Sequence, residues 1–98
     1  MKNFYVTYAF EDNEARKNFY GEVKAAGIVG ASRAEEGCFR YEFYYPADSE
    51  NKIFLLEQWK DMEVHGKHKE TPHYAVLSEL KEKYNVTAEI LVEDAADK

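Results

Sequence analysis

Hydrophobic positions along the chain switch between a two-residue and a three-to-four-residue period, and each switch marks an element. Residues 3–10 alternate, with Phe4, Val6, Tyr8 and Phe10 on one face and Tyr5, Thr7 and Ala9 on the other. This pattern predicts a strand that is largely apolar on both faces. Glu11, Asp12 and Asn13 then offer N-cap oxygens and first-turn acids, and Ala15, Phe19, Val23 and Ala26 recur at helical spacing. The spacing carries this helix on through residues 28–34, with Gly27 as its weak point. Gly37 punctuates before a second strand over 38–45, in which Phe39, Tyr41, Phe43 and Tyr45 share a face. Pro46 stops that strand, residues 47–51 form a turn, and residues 52–60 return as a third strand in a hairpin.

Asp61 can cap a short helical segment from Met62 to about Lys69. Thr71-Pro72 opens a new helix, with Thr as N-cap and Pro at the first helical position, where its missing N–H costs nothing. Tyr74, Leu77, Leu80 or Lys81, and Tyr84 mark its inner stripe; Asn85 ends it. Residues 86–92 read as the last strand, and residues 93–98 as a frayed acidic tail. The order β-α-β-β-α-β is that of the ferredoxin-like α+β fold, with a four-stranded antiparallel sheet covered by helices on one face. One domain is expected over 1–98, its core at about 3–92, since the length suits a single domain.

Helices on one face leave the other bare, yet both faces of the strands are apolar: Phe4, Val6 and Tyr8 against Tyr5 and Ala9 on the first, Phe54 and Leu56 against Ile53 and Leu55 on the third. Either face left open would be a large exposed aromatic patch, so the pattern predicts a homodimer that packs sheet against sheet. Composition narrows the partners further. Nineteen acidic against thirteen basic residues give a net charge of −6, with no basic stripe, which disfavours nucleic acid. No signal-peptide pattern and no long apolar run stand out, and Cys38 is the one cysteine, so a cytoplasmic protein without membrane contact is expected.

All three histidines, His65, His68 and His73, fall in one short stretch. His73 would be the second residue of the helix opened by Thr71-Pro72, where unpaired N–H dipoles favour a neutral imidazole, the form a general base needs. His68 is its equal as a candidate base, and His65 reads as a surface residue. A metal centre is not expected, because Pro72 separates His73 from the pair and no recognised ligand spacing accompanies them. Glu57 and Trp59, two apart on the third strand, point to one face. Glu57 could satisfy a core polar group such as Arg40 or orient a pocket group; Trp59 could fill the core or stack on a flat substrate.

The run 32–43, SRAEEGCFRYEF, resembles a signature of the antibiotic biosynthesis monooxygenase family. So does the run 54–61, FLLEQWKD, followed by His68 and by Thr71-Pro72-His73-Tyr74. The resemblance spans roughly 3–92 and implies a dimeric α+β barrel with a pocket between each sheet and its helices. Members include cofactorless quinol-type monooxygenases, haem-degrading enzymes and proteins that process the autoinducer-two signal. By position, the resemblance places Trp59, His68 and His73 as catalytic residues, with His68 or His73 as the base. It places Tyr41, Glu57 and Tyr74 as substrate-contacting walls. It implies an oxygenase of a small aromatic or quinol-like metabolite that deprotonates its substrate for direct reaction with O2, needing no cofactor. The haem-degrading branch fits poorly, since Tyr5-Val6-Thr7-Tyr8 lacks its first-strand Asn. The alternatives are an isomerase or lyase acting on a small carbonyl signal compound, and a non-catalytic dimeric binding module.

Overall fold

A computed structural model describes residues 1–95. Its elements run β1 (Lys2–Ala9), α1 (Asn13–Ala25), α2 (Ile28–Arg33), β2 (Cys38–Tyr44), β3 (Lys52–Trp59), α3 (Met62–His68), α4 (Pro72–Lys83) and β4 (Thr87–Asp94). The strands form one antiparallel sheet in the order β2-β3-β1-β4. This is the ferredoxin-like α+β architecture that the periodicities predict.

The helix starts sit where side-chain oxygens can satisfy the first free N–H groups. Asp12, Asp61 and Thr71 each accept from the backbone N–H three residues on. The first helix, however, does not run on through residues 28–34. Gly27 adopts φ 69°, a left-handed conformation that ends one hydrogen-bond ladder and starts the next, so α1 and α2 are separate. The re-aimed α2 packs on β2 and α4 and buries Ile28 and Ser32.

Register sets which side chains meet the helices. Phe4 lies between Glu57 and Val92, and Tyr8 between Ile53 and Ala88. Phe4, Val6 and Tyr8 on β1, with Ile53, Leu55 and Trp59 on β3, are buried in the core, as is Tyr41 on β2. The second strand departs from simple alternation. A register shift between Cys38 and Arg40 leaves Phe39 55% exposed while Tyr41 is fully buried, so Phe39 does not share Tyr41's environment.

The last strand also corrects an expectation. Glu93 and Asp94 are not a frayed tail but the end of β4, held by the Tyr5 hydroxyl donating to Glu93 Oε1 at 2.7 Å and by a Lys2–Asp94 ion pair. Residues 96–98, the rest of that tail, lie outside the described residues. Every residue of β4 is exposed in the single chain. None of the described helices is long and apolar enough to cross a membrane.

Candidate active site

Three elements converge at one end of the sheet. The third strand delivers Glu57 and Trp59 to its helix-facing side, as their two-residue spacing requires. The Trp59 indole N–H donates to Glu57 Oε1 at 3.0 Å, so Glu57 answers a core indole and not the Arg40 guanidinium, which instead pairs with Glu42. Trp59 is fully buried, and its ring leans on the His68 ring with centroids 4.6 Å apart. Helix α3, one turn after Trp59, turns both His65 and His68 inward.

His65 is therefore not a surface residue. It is 7% exposed, stacks on Phe4 with ring centroids 3.9 Å apart, and brings Nε2 to 4.0 Å from Glu57 Oε1. Its i,i+3 relation to His68 places both rings on one helix face, and that face is the buried one. Burial first, then the neighbouring His68, lowers the His65 pKa to about 4, so the ring is neutral near pH 7.

A residue outside the histidine stretch ties the other two rings together. Glu35, in the link between α2 and β2, places Oε2 2.5 Å from His68 Nδ1 and 2.7 Å from His73 Nε2. His68 is 1% exposed, and the carboxylate and His73 lie closer to solvent. Desolvation lowers the His68 pKa, and the Glu35 carboxylate opposes that shift without cancelling it.

Beside this cluster lies a cavity of about 290 Å³ between the sheet, α3 and α4. Of the residues singled out in the sequence, Tyr41, Glu57, His65, His68 and Tyr74 line it, and Trp59 and His73 do not. Trp59 stands behind the wall as a support, and His73 faces Glu35. Lys69 and Lys81 add positive charge to the lining, and Ile90 and Val92 of exposed β4 complete it. Burial raises the Glu57 pKa to about 7, with the Trp59 hydrogen bond as a weaker opposing influence. Burial likewise lowers that of Lys81, while Glu57 pulls it back up. The Tyr41 hydroxyl is held protonated, its pKa raised well above the usual value by burial and then by Glu57. The buried Ser32 hydroxyl lies beside it and weakly opposes that shift.

Glu35, Lys69 and Lys81 are absent from the sequence-based site. Lys81 carried a signal, because it sits four residues after Leu77 on the inner stripe of its helix. Glu35 carried none beyond its place in the 32–43 run.

Glu35, His68 and His73 also form the one group among the described residues whose donor atoms could hold a metal ion, all lying within 4.8 Å of one another. A divalent transition metal needs each donor at ~2.0–2.2 Å, arranged around a common point. Here one carboxylate oxygen lies at hydrogen-bond length from both nitrogens, 2.5 Å and 2.7 Å. As it stands the cluster is a hydrogen-bonded one.

Three comparisons bear on this arrangement. The Bacillus subtilis (strain 168) protein named "Putative monooxygenase YcnE" is 39% identical over 61 residues, a match covering 62% of this chain and 62% of that protein. A solved structure from Nitrosomonas europaea, named "Putative antibiotic biosynthesis monooxygenase", superposes with a TM-score of 0.84 at 20% identity, covering 97% of this chain and 98% of the other. SnoaB of Streptomyces nogalater, described as a cofactor-independent oxygenase, superposes with a TM-score of 0.72 at 12% identity, covering 99% and 94%. Structures so distant in sequence speak to the fold alone. The model of the antibiotic biosynthesis monooxygenase family matches residues 14–80, well over half of the sequence, and the chain belongs to that family.

Proposed function

We propose that this chain is a monooxygenase that deprotonates a small phenolic or quinol-like compound, whose electron-rich anion then reacts with O2 directly. One oxygen atom stays on a substrate carbon as a carbonyl, replacing two hydrogens, and the other leaves as water; the substrate supplies all the electrons. No flavin, haem or metal is called for in this scheme. The observation that carries the reading is a small aromatic-walled cavity with a buried imidazole, His68, whose pKa lies below its ordinary value. Such a group is unprotonated near neutral pH and ready to accept a proton. Lys81 and Lys69 supply positive potential that favours an anionic substrate. The family and the YcnE match support monooxygenase-like chemistry, and SnoaB is a cofactor-independent oxygenase on this fold. Oxygen uptake with a panel of small quinols and anthrones tests the proposal. Stoichiometric uptake with product formation is expected; binding without uptake would overturn it.

One observation favours a second reading. Glu57, with a pKa of about 7, lines the same cavity as His68, and two proton-carrying groups around one ligand suit an isomerase or lyase of a small carbonyl compound. Product formation under anaerobic conditions would select it, and tight binding with no turnover would select a non-catalytic binding module.

The functional unit is proposed to be a cytoplasmic homodimer formed through the outer sheet face. That face carries the stacked Tyr5–Phe54 pair, Tyr44 beside Phe54, and Leu91 at 65% exposure. A covering copy would remove this apolar area from water.

A further inference from the structure

The two histidines that the sequence leaves as equal candidates for the base are not equivalent in space. Only His68 lines the cavity, and its Nδ1 points away from it, to Glu35. An ionised carboxylate can only accept hydrogen bonds, so both ring nitrogens facing Glu35 Oε2 must carry their protons. In its neutral form His68 is thereby fixed with Nδ1 protonated and Nε2 bare. In free imidazoles the opposite tautomer is the commoner one. His73 donates to the same oxygen from the other side, at 2.7 Å, from the second position of α4. The Thr71 cap and Pro72 hold that position rigid: Thr71 Oγ1 accepts from the Tyr74 N–H and donates to the His68 carbonyl at 2.7 Å. His68 and His73 are thus tied to each other through backbone as well as through Glu35.

We propose that Glu35 is the positioning residue of the site, holding His68 so that its bare Nε2 takes the substrate proton, and that His73 clamps Glu35 and is not the base. This assignment deepens the proposed function and rests on its proton-abstraction step. In that step the substrate O–H proton moves to His68 Nε2, the oxygen keeps the electron pair, and the new imidazolium is stabilised by the Glu35 carboxylate on its other nitrogen. The logic is that of an acid–base–nucleophile triad, with the substrate oxygen in place of the nucleophile.

Two measurements test it, one of which needs no substrate. Long-range proton–nitrogen NMR of histidine-labelled, substrate-free protein should show His68 with Nδ1 protonated and Nε2 unprotonated. Glu35→Gln, which keeps the shape but can donate as well as accept, should shift that tautomer towards protonated Nε2. His68 found with Nε2 protonated in the wild type, or unaltered in Glu35→Gln, would overturn the assignment whatever the enzyme's reaction proves to be. On a turned-over substrate, Glu35→Gln should lower kcat by about 10²-fold or more with little change in KM. His73→Gln, whose amide N–H can still donate to Glu35 but cannot take a proton at neutral pH, should lose less than tenfold. His73→Leu should fall as far as Glu35→Gln. Equal, complete loss in His73→Gln and His73→Leu would make His73 the base and sink the proposal. Absence of turnover in the wild type with the expected tautomer intact would count against the oxygenase reading alone.

Discussion

The same face of the same sheet is built in two ways. Near α1 the core is aromatic and apolar: Phe19 meets Phe10 at 5.1 Å, Tyr8 at 5.8 Å and Tyr84 at 6.1 Å between ring centroids, with Val23 and Ile53 filling between. Near α3 the equivalent layer holds Glu57, Trp59, His65 and His68, with a cavity beside them. Apolar packing of the first kind gains free energy with every methylene buried. The second kind keeps titratable groups out of water and shifts them: Glu57 up to about 7, His65 down to about 4. Each such shift makes the stability of the fold depend on pH. One half holds the domain together so that the other half can keep reactive groups in unfavourable protonation states.

If that division is right, the two halves should fail differently when cut. His68→Ala should lower turnover by about 10²–10⁴-fold, with the melting temperature changed far less than the activity. Steady-state kinetics alongside thermal denaturation would check this, and a parallel collapse of both would erase the distinction. Phe19→Ala removes a fully buried ring from the apolar half, and a loss of about 3–5 kcal/mol in unfolding free energy is expected by denaturant titration. The residual folded protein should keep its ligand affinity.

The seam between the halves can be tested at Gly37, where φ is 83° and an added Cβ would lie 2.7 Å from Val64 Cγ1 on α3. Gly37→Ala should cost about 1–3 kcal/mol of stability and loosen the Glu35–His68 bond by pushing α3 outward. A variant with wild-type stability would show that the link between α2 and β2 yields more easily than its packing implies.

The smallest effect concerns pH. Because the Glu57 pKa is raised in the folded protein, its contribution to stability is complete below its ordinary value of 4.5 and is lost as pH rises through about 7. His65 acts in the opposite sense: its lowered pKa contributes stability above its ordinary 6.5, lost as pH falls towards about 4. Glu57→Gln keeps an acceptor for the Trp59 N–H but removes the first slope. Between pH 5 and pH 8 the two slopes oppose each other in the wild type, so Glu57→Gln should uncover the His65 gain and become more stable at pH 8 relative to pH 5 than the wild type does. An unchanged pH dependence of the melting temperature would contradict the raised Glu57 value.

The element order was legible because strand and helix periods are distinct and Asp12, Asp61 and Thr71 each cap a helix start. Gly27 was visible as a weak point, but whether a glycine ends a helix or merely interrupts its stripe depends on what the next turn can bury, here Ile28 and Ser32. The Phe39 displacement was hidden for the same reason: alternation predicts faces only while the register holds. In the site, the spacing of His65 and His68 placed them on one face without saying that this face is the inner one. Glu35 lies 33 residues from His68 and 38 from His73. Such a contact comes from the packing of α2 and β2 against α3 and α4, and no local pattern encodes it.

The strand order has a consequence for how the chain is made. Strand β1 occupies the middle of the sheet between β3 and β4, yet it is synthesised before both. Its register partner for Tyr8 is Ile53, so some 45 residues must follow before that pair can close. At translation rates of about 5–20 residues per second this is a wait of roughly 2–9 s. At its end the β2–β3 hairpin, a local pairing, can form as soon as β3 emerges, offering β1 an edge on which to dock. A nascent chain arrested before residue 52 would therefore present Phe4, Tyr5, Val6 and Tyr8 unpaired, the stretch a chaperone would be expected to bind.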